Sequence, residues 1–324
     1  MEQYDIGIDI GGTNLKAGVV DEKGTLLAAA KTPVQWSGAQ AFVKTLADLA
    51  AAAAQKAGVA REQIRSVGMG VPGGVDAQTG KILYTCNISL SDLSIAEEFR
   101  GYLDVPVYLE NDANCAVLGE FYAGAGQGCR NLIVITLGTG VGAGILLNGQ
   151  LLRGVNGAAG EVGHMVVEHN GVSCPCGRKG CWEQYASAPA LRRMTREAME
   201  ASPDSALWAH CGGDLSKIGG RSAFEVARTT GDAAAKAVCE RYISYLGSGI
   251  VNLVNLFQPE VLCIGGGVSN EADEALLLPL QKIVERERFS QYCQKQTRVV
   301  KAQLGNDAGI VGAAFLGRIK NGAV

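Results

Sequence analysis

Apolar residues first run together over 4–10 (YDIGIDI) and halt at the turn 11–14 (GGTN). Further apolar runs at 15–20 and 25–31 predict two returning strands, so the chain opens with a three-stranded meander. Over 39–57 the period changes: Phe42, Leu46, Leu49 and Ala53 recur at helical spacing among alanines, which predicts an amphipathic helix. A buried strand is expected over 64–71, closed by Pro72, Gly73 and Gly74, then a strand at 105–109 and a helix over 111–123. The pattern then restarts. Residues 132–137, the turn Gly138, Thr139, Gly140 and the run 142–147 repeat the logic of the opening hairpin about 125 residues later. A helix from Asp232 to about residue 257 leads to a strand at 261–264 and a third glycine turn at 265–267; 298–301 and 308–319 read as a last strand and a last helix.

Strands and helices mixed in this order predict an α/β protein with ligand loops at strand ends. The two strand, glycine turn, strand units predict two domains of related plan, and 324 residues suffice for two cores. The break is expected in the glycine-rich stretch between Gly119 and Arg130. That gives a small domain over 1–120, completed by the C-terminal helix at 307–324, and a larger one over 121–306.

Composition narrows the function classes. A hydrophobic fraction of 47% with a net charge of only -3 excludes a disordered chain and gives no support for a polyanion-binding surface. No basic, apolar leader follows Met1, and the most apolar window, 132–147, is cut by Gly138, Gly140, Gly142 and Gly144. Neither a secretory signal nor a membrane span is expected, and the expected location is the cytoplasm. In that setting ten cysteines argue against a disulfide framework and toward metal or reactive thiols.

Glycine turns let backbone N–H groups approach phosphate oxygens. Neither the Walker nor the dinucleotide spacing is met at any of the three, and each also fits a plain hairpin turn. Asp9, at a strand end beside Gly11 and Gly12, suits Mg²⁺ or its waters, or a simple turn cap. Asn111 and Asp112 begin a helix, where Asp112 can act as general base on a hydroxyl and either residue can serve as N-cap. His164, Cys174, Cys176 and Cys181 form H-x9-C-x-C-x4-C, a donor set for a closed tetrahedral Zn²⁺ site of structural type, with incidental thiols as the alternative. Such a metal would also fix Glu161 and Glu183, which flank it.

These residues together resemble the ROK group of sugar kinases and sugar-responsive repressors, within the actin, Hsp70 and hexokinase superfamily. The likeness is carried by residues 9–16 (DIGGTNLK), 110–114 (ENDAN), 137–142 (LGTGVG), 161–164 (EVGH), 174–181 (CPCGRKGC), 264–267 (IGGG) and 307–313 (DAGIVGA), so it covers essentially the whole chain. It implies two ribonuclease H-like (actin-like ATPase) domains with a cleft between them. It implies ATP-dependent phosphorylation of a hexose at the 6-hydroxyl, with glucose as the expected sugar and Mg²⁺ accompanying ATP.

By the resemblance, Asp112 takes the hydroxyl proton, while Asn111, Asp112, Glu161, His164 and Glu183 bind the sugar; Gly73 and Asn87 match further sugar contacts. His164 would turn one ring nitrogen to zinc and the other to sugar. Gly12, Thr13, Thr139 and Gly140 would hold the ATP phosphates, within a nucleotide set of Asp9, Gly11, Asn14, Lys16 and Gly138, with Gly266 and Gly267 against the adenosine. The stretch 87–93 (NISLSDL) lacks the tryptophan frequent at this point of the family, which leaves N-acetylmannosamine, fructose or allose open as the sugar. A sugar-sensing regulator is the other alternative. The repressors of the group carry an N-terminal DNA-binding segment for which no room is expected before residue 4, so no nucleic-acid partner is expected. The resemblance also implies a homodimer or homotetramer.

Overall fold

The computed structural model of the chain describes residues 2–76, 81–85 and 94–320. Strand β1 (Tyr4–Ile10) buries Ile6, Ile8 and Ile10 completely. It pairs antiparallel with β2 (Asn14–Val20), which pairs antiparallel with β3 (Leu26–Pro33). Helix α1 (Ala39–Ala57) turns Phe42, Leu46, Leu49 and Ala53 inward and stops at Gly58, whose φ of 68° closes the helix in the left-handed region. There follow β4 (Ile64–Val71), β5 (Gly73–Asp76), β6 (Lys81–Thr85), α2 (Ile95–Arg100), β7 (Val107–Asn111) and α3 (Asp112–Ala123). The first sheet has the order β3-β2-β1-β4-β7, with β4 parallel to both β1 and β7.

The next strands are β8 (Leu132–Leu137), β9 (Val141–Leu147) and β10 (Gln150–Leu151). Four helices then come in sequence, α4 (Glu183–Ala186), α5 (Ala188–Ala201), α6 (Ala206–His210) and α7 (Ser222–Thr230), before the long α8 (Ala233–Phe257). The chain ends with β11 (Val261–Gly265), α9 (Leu277–Glu287), β12 (Arg298–Lys301) and α10 (Ala308–Lys320). The second sheet, β10-β9-β8-β11-β12, has the strand plan of the first, as the restarting sequence pattern predicts.

Two compact units result: Met1–Val134 with Gly144–Gly160 and Ala302–Val324, and Ile135–Ala143 with Glu161–Lys301. The division therefore runs through β8 and β9 and places residues 121–134 with the first unit, where the sequence suggested a break near residue 120. Within the first unit α10 lies directly on the sheet. A Cβ at Gly7 or Gly68 would overlap the backbone of Ile310 or Ala313, so these glycines set how closely the helix approaches β1 and β4.

Candidate functional site

In the first unit, Asp9 is the penultimate residue of β1 and is paired in register with Lys16 of β2. Lys16 Nζ lies 3.6 Å from Asp9 Oδ2 and donates to the Asn306 carbonyl at 3.0 Å. Gly309, at the start of α10, comes close enough that a Cβ there would stand 3.4 Å from Asp9 Cγ. Burial holds the Asp9 carboxyl above its ordinary value, against the downward pull of Lys16. Between the two strands, Gly11 N–H donates to the Asn14 carbonyl at 3.1 Å, leaving Gly12, Thr13 and Asn14 exposed at the turn.

The β7–α3 corner carries the second group. Asn111 is the N-cap: its Oδ1 accepts from Ala113 N at 2.9 Å and Asn114 N at 3.1 Å, and its Nδ2 donates to the Gly73 carbonyl at 3.0 Å. Asp112 opens the helix, with Oδ1 2.8 Å from Ala113 N. Capping thus falls to Asn111, and Gly73, with φ 136°, is joined to this corner. Asn87 lies outside the described residues.

Two participants escaped the sequence reading. Glu110 is only 2% exposed and accepts from Asn111 N at 3.1 Å, Asn114 Nδ2 at 2.9 Å and Arg153 Nε at 2.8 Å. Arg153 Nη2 completes an ion pair at 2.8 Å. A charged residue inside a strand, directly before the Asn-Asp pair, was the signal that such a partner had to exist.

In the second unit the turn between β8 and β9 is closed by Gly138 N–H on the Gly140 carbonyl at 3.0 Å. Glu183 Oε2 accepts from Val141 N at 3.0 Å, and a Cβ at Gly140 would overlap that carboxylate. Gly266, with φ 87°, sits so near the Leu137 backbone that no side chain fits there, and Gly267 follows it at the end of β11. Glu161 is exposed, just before the short helical turn Val162–His164.

His164, Cys174, Cys176 and Cys181 converge: one donor atom of each lies within 4.8 Å of all the others. Cys176 Sγ is 3.6 Å from Cys181 Sγ, and Cys174 Sγ is 3.7 Å from His164 Nδ1. Zinc bonds of about 2.3 Å to sulfur and about 2.0 Å to nitrogen, set tetrahedrally, put neighbouring donors about 3.5–3.8 Å apart, so this donor set fits such an ion. Burial pushes the Cys181 thiol up to about 12, while a hydrogen bond from the Arg178 backbone holds Cys176 below its ordinary value. A dication would make thiolates of all three. None of the nine cysteines among the described residues is disulfide-bonded.

The sequence-predicted residues thus fall into four groups, two in each unit: Asp9, Lys16 and the turn 11–14; Gly73, Asn111 and Asp112; the turn 138–140 with Glu183, Gly266 and Gly267; and His164 with the three cysteines. The first three groups set a carboxylate beside backbone N–H groups, and the fourth is a set of one imidazole and three thiols able to hold a metal ion.

The chain is 39% identical over 315 residues to a glucokinase of Streptomyces coelicolor, covering 97% of each sequence. It is 35% identical over 317 residues to a glucokinase of Thermotoga maritima, covering 96% of each. Among solved structures, a ROK family glucokinase from Streptomyces griseus in complex with glucose and AMPPNP superimposes with a TM-score of 0.81 at 38% identity, covering 97% of this chain and 98% of that one. Residues 5–319 match the ROK family as a whole. With two sheets of the same strand plan, the glycine turns at strand ends and this likeness along nearly its full length, the chain belongs to the ROK family and has its actin-like ATPase fold.

Proposed function

We propose that the protein is an ATP-dependent glucokinase, transferring the γ-phosphoryl group of ATP to the 6-hydroxyl of glucose. The observation that carries this is the β7–α3 corner, where a capped helix start presents Asp112 in a chain closely similar to glucokinases. The 6-hydroxyl gives its proton to the Asp112 carboxylate, its oxygen bonds to the γ-phosphorus, and the bond from that phosphorus to the bridging oxygen breaks to release ADP. Phosphoryl transfer asks the protein mainly for positioning and for stabilisation of charge.

The remaining donors and acceptors define the sugar contacts. Asn111 has its oxygen committed to the cap and one amide hydrogen to Gly73, so its second amide hydrogen is the group for a ring hydroxyl. Glu183 offers the oxygen not bonded to Val141, Glu161 its exposed carboxylate, and His164 the nitrogen facing away from the cysteines. Gly12, Thr13, Thr139 and Gly140 hold phosphates, Gly266 and Gly267 accept the adenosine, and Asp9 serves the Mg²⁺ that accompanies ATP. His164, Cys174, Cys176 and Cys181 hold a structural Zn²⁺, which supplies loop rigidity and no chemistry; metal analysis is expected to give about one zinc per chain.

The test is ADP release with ATP and Mg²⁺ over glucose, mannose, fructose, allose, N-acetylglucosamine and N-acetylmannosamine. Glucose is expected to be preferred, and Asp112→Asn to lower kcat by about 10² to 10⁴ while glucose binding persists. Preference for another hexose reassigns the sugar. Near-normal turnover in the variant removes Asp112 from the chemistry.

A further inference from the structure

The β8–β9 turn has little to hold it from within. A backbone bond runs from Gly138 N–H to the Gly140 carbonyl, and two of the turn's three residues are glycines, which lose the most conformational freedom on ordering. Order comes from outside, from the two segments that border the cysteine cluster. Gly163, one residue before His164, lies against the Val141 carbonyl with no room for a Cβ. Glu183, two residues after Cys181, accepts the Val141 N–H, and Ala188 N–H donates to the Gly138 carbonyl at 2.9 Å. The turn is thus gripped at both ends by chain that runs directly from the metal-ligand residues.

We infer that Glu183 is a positioning residue for the phosphate turn: one carboxylate oxygen fixes Val141 N–H and with it the turn 138–140, so that Glu183 sets nucleotide affinity even when no sugar is bound. The inference rests on the kinase reading in one respect, that this turn holds phosphate. Electrostatics sharpens it. A carboxylate beside a phosphate-binding turn repels the ligand, so an acid whose only task were to bind sugar would, on removal, leave nucleotide binding equal or tighter. A turn released from its anchor must be ordered by the ligand, which makes binding weaker. The two roles therefore predict opposite signs for one substitution.

Calorimetric titration of Mg²⁺–AMPPNP into sugar-free protein, for wild type, Glu183→Gln and Glu183→Ala, reads that sign. Gln keeps an oxygen for Val141 N–H and removes the charge; Ala removes both. The expected result is binding about tenfold weaker in Glu183→Ala and within about threefold of wild type, or tighter, in Glu183→Gln. Amide exchange supplies a readout that needs no ligand: Val141 exchanges at least about tenfold faster in Glu183→Ala and returns toward wild type in Glu183→Gln, with β11 and α8 still protected as evidence of folding. Glu183→Ala binding AMPPNP as tightly as wild type, with Val141 exchange unchanged, overturns the inference. Failure of the kinase reading shows elsewhere, in the wild type: a protein that binds AMPPNP but phosphorylates no hexose loses that reading and leaves both Glu183 measurements decisive. A wild type that binds no AMPPNP overturns the nucleotide reading and this inference together.

Discussion

Glu110 shows how much the proposed catalytic corner depends on a side chain that touches no substrate in that scheme. Its carboxylate, 2% exposed, ties Asn111 N and Asn114 Nδ2 on one side to the Arg153 guanidinium on the other. Arg153→Met leaves that charge without its cation. Because Arg153 is itself 38% exposed and water reaches the pair, the expected loss is about 1–3 kcal/mol in urea denaturation, below the value for a fully buried pair. The first turn of α3 also carries Asp112, so kcat is expected to fall about tenfold with a smaller change in KM. Adding Glu110→Gln to Arg153→Met removes the stranded charge, and the double variant is expected to be less unstable than the sum of the single ones. At this scale the sequence was legible where partners are local. The four proposed metal ligands lie within 18 positions of one another and Asn111 beside Asp112, whereas Arg153 stands 43 residues from Glu110, a separation no spacing rule reports. The same holds for Glu183, whose engaged oxygen accepts from the N–H of Val141, 42 residues earlier.

Elements with long, uniform periodicity were the readable ones. Helix α1 matches its expected span, and α8 starts at Ala233, directly after Asp232, where the sequence pattern begins the helix. Strand β7 instead begins at Val107 and runs on to Asn111, because pairing with β4 as far as Val71 carries the chain past the last apolar residue. The short helices between residues 183 and 230 were not anticipated: most are capped locally, α5 by Ser187 and α7 by the left-handed Gly231, but α6 is also held from a distant part of the chain. Asp232 is the clearest case. Its carboxylate accepts from Ala235 N at 2.8 Å, capping α8, and from Ala206 N and Ser205 Oγ, both at 2.9 Å, holding the start of α6. Burial alone would raise its carboxyl, but these hydrogen bonds outweigh it and hold it below the ordinary value. A lowered folded value means the stabilisation is complete above the ordinary carboxylate range and disappears as pH falls through the folded value. Asp232→Ala is therefore expected to cost about 1–2 kcal/mol at pH 7, with the two urea transitions converging as the pH falls below the ordinary carboxylate range. Asp232→Asn, which keeps an acceptor, is expected to recover much of the loss at pH 7.

At the scale of the whole molecule, the first unit is assembled from three separate stretches of chain, and its last one must return from the far end of the sequence. The glycines under α10 permit that return, and Asp5 locks it. Asp5 is fully buried and receives Arg65 Nη2 at 2.5 Å, Ser66 Oγ at 2.7 Å and Arg318 Nε at 2.8 Å. Arg318, 6% exposed, also donates to the carbonyls of Glu22 at 2.7 Å and Asp21 at 2.6 Å, and its guanidinium sits 4.5 Å from the centre of the Phe315 ring. One carboxylate thus joins β1, β4 and α10. The repeat of strand plan was legible from the restarting hydrophobic pattern, but this clasp was not, because Asp5 and Arg318 are 313 residues apart. Asp5→Asn leaves a buried guanidinium facing a neutral amide, and the expected cost is about 3 kcal/mol. That energy belongs to the first unit alone. Amide exchange in β1, β4 and α10 is therefore expected to accelerate about a hundredfold, while α8, with its own core around Tyr242, Leu246 and Ile250, changes by less than about threefold. Equal acceleration in α8 would show instead that both units open in one cooperative step, and that a lesion at the clasp reaches the cysteine cluster and the turn 138–140 as readily as it reaches Asp112.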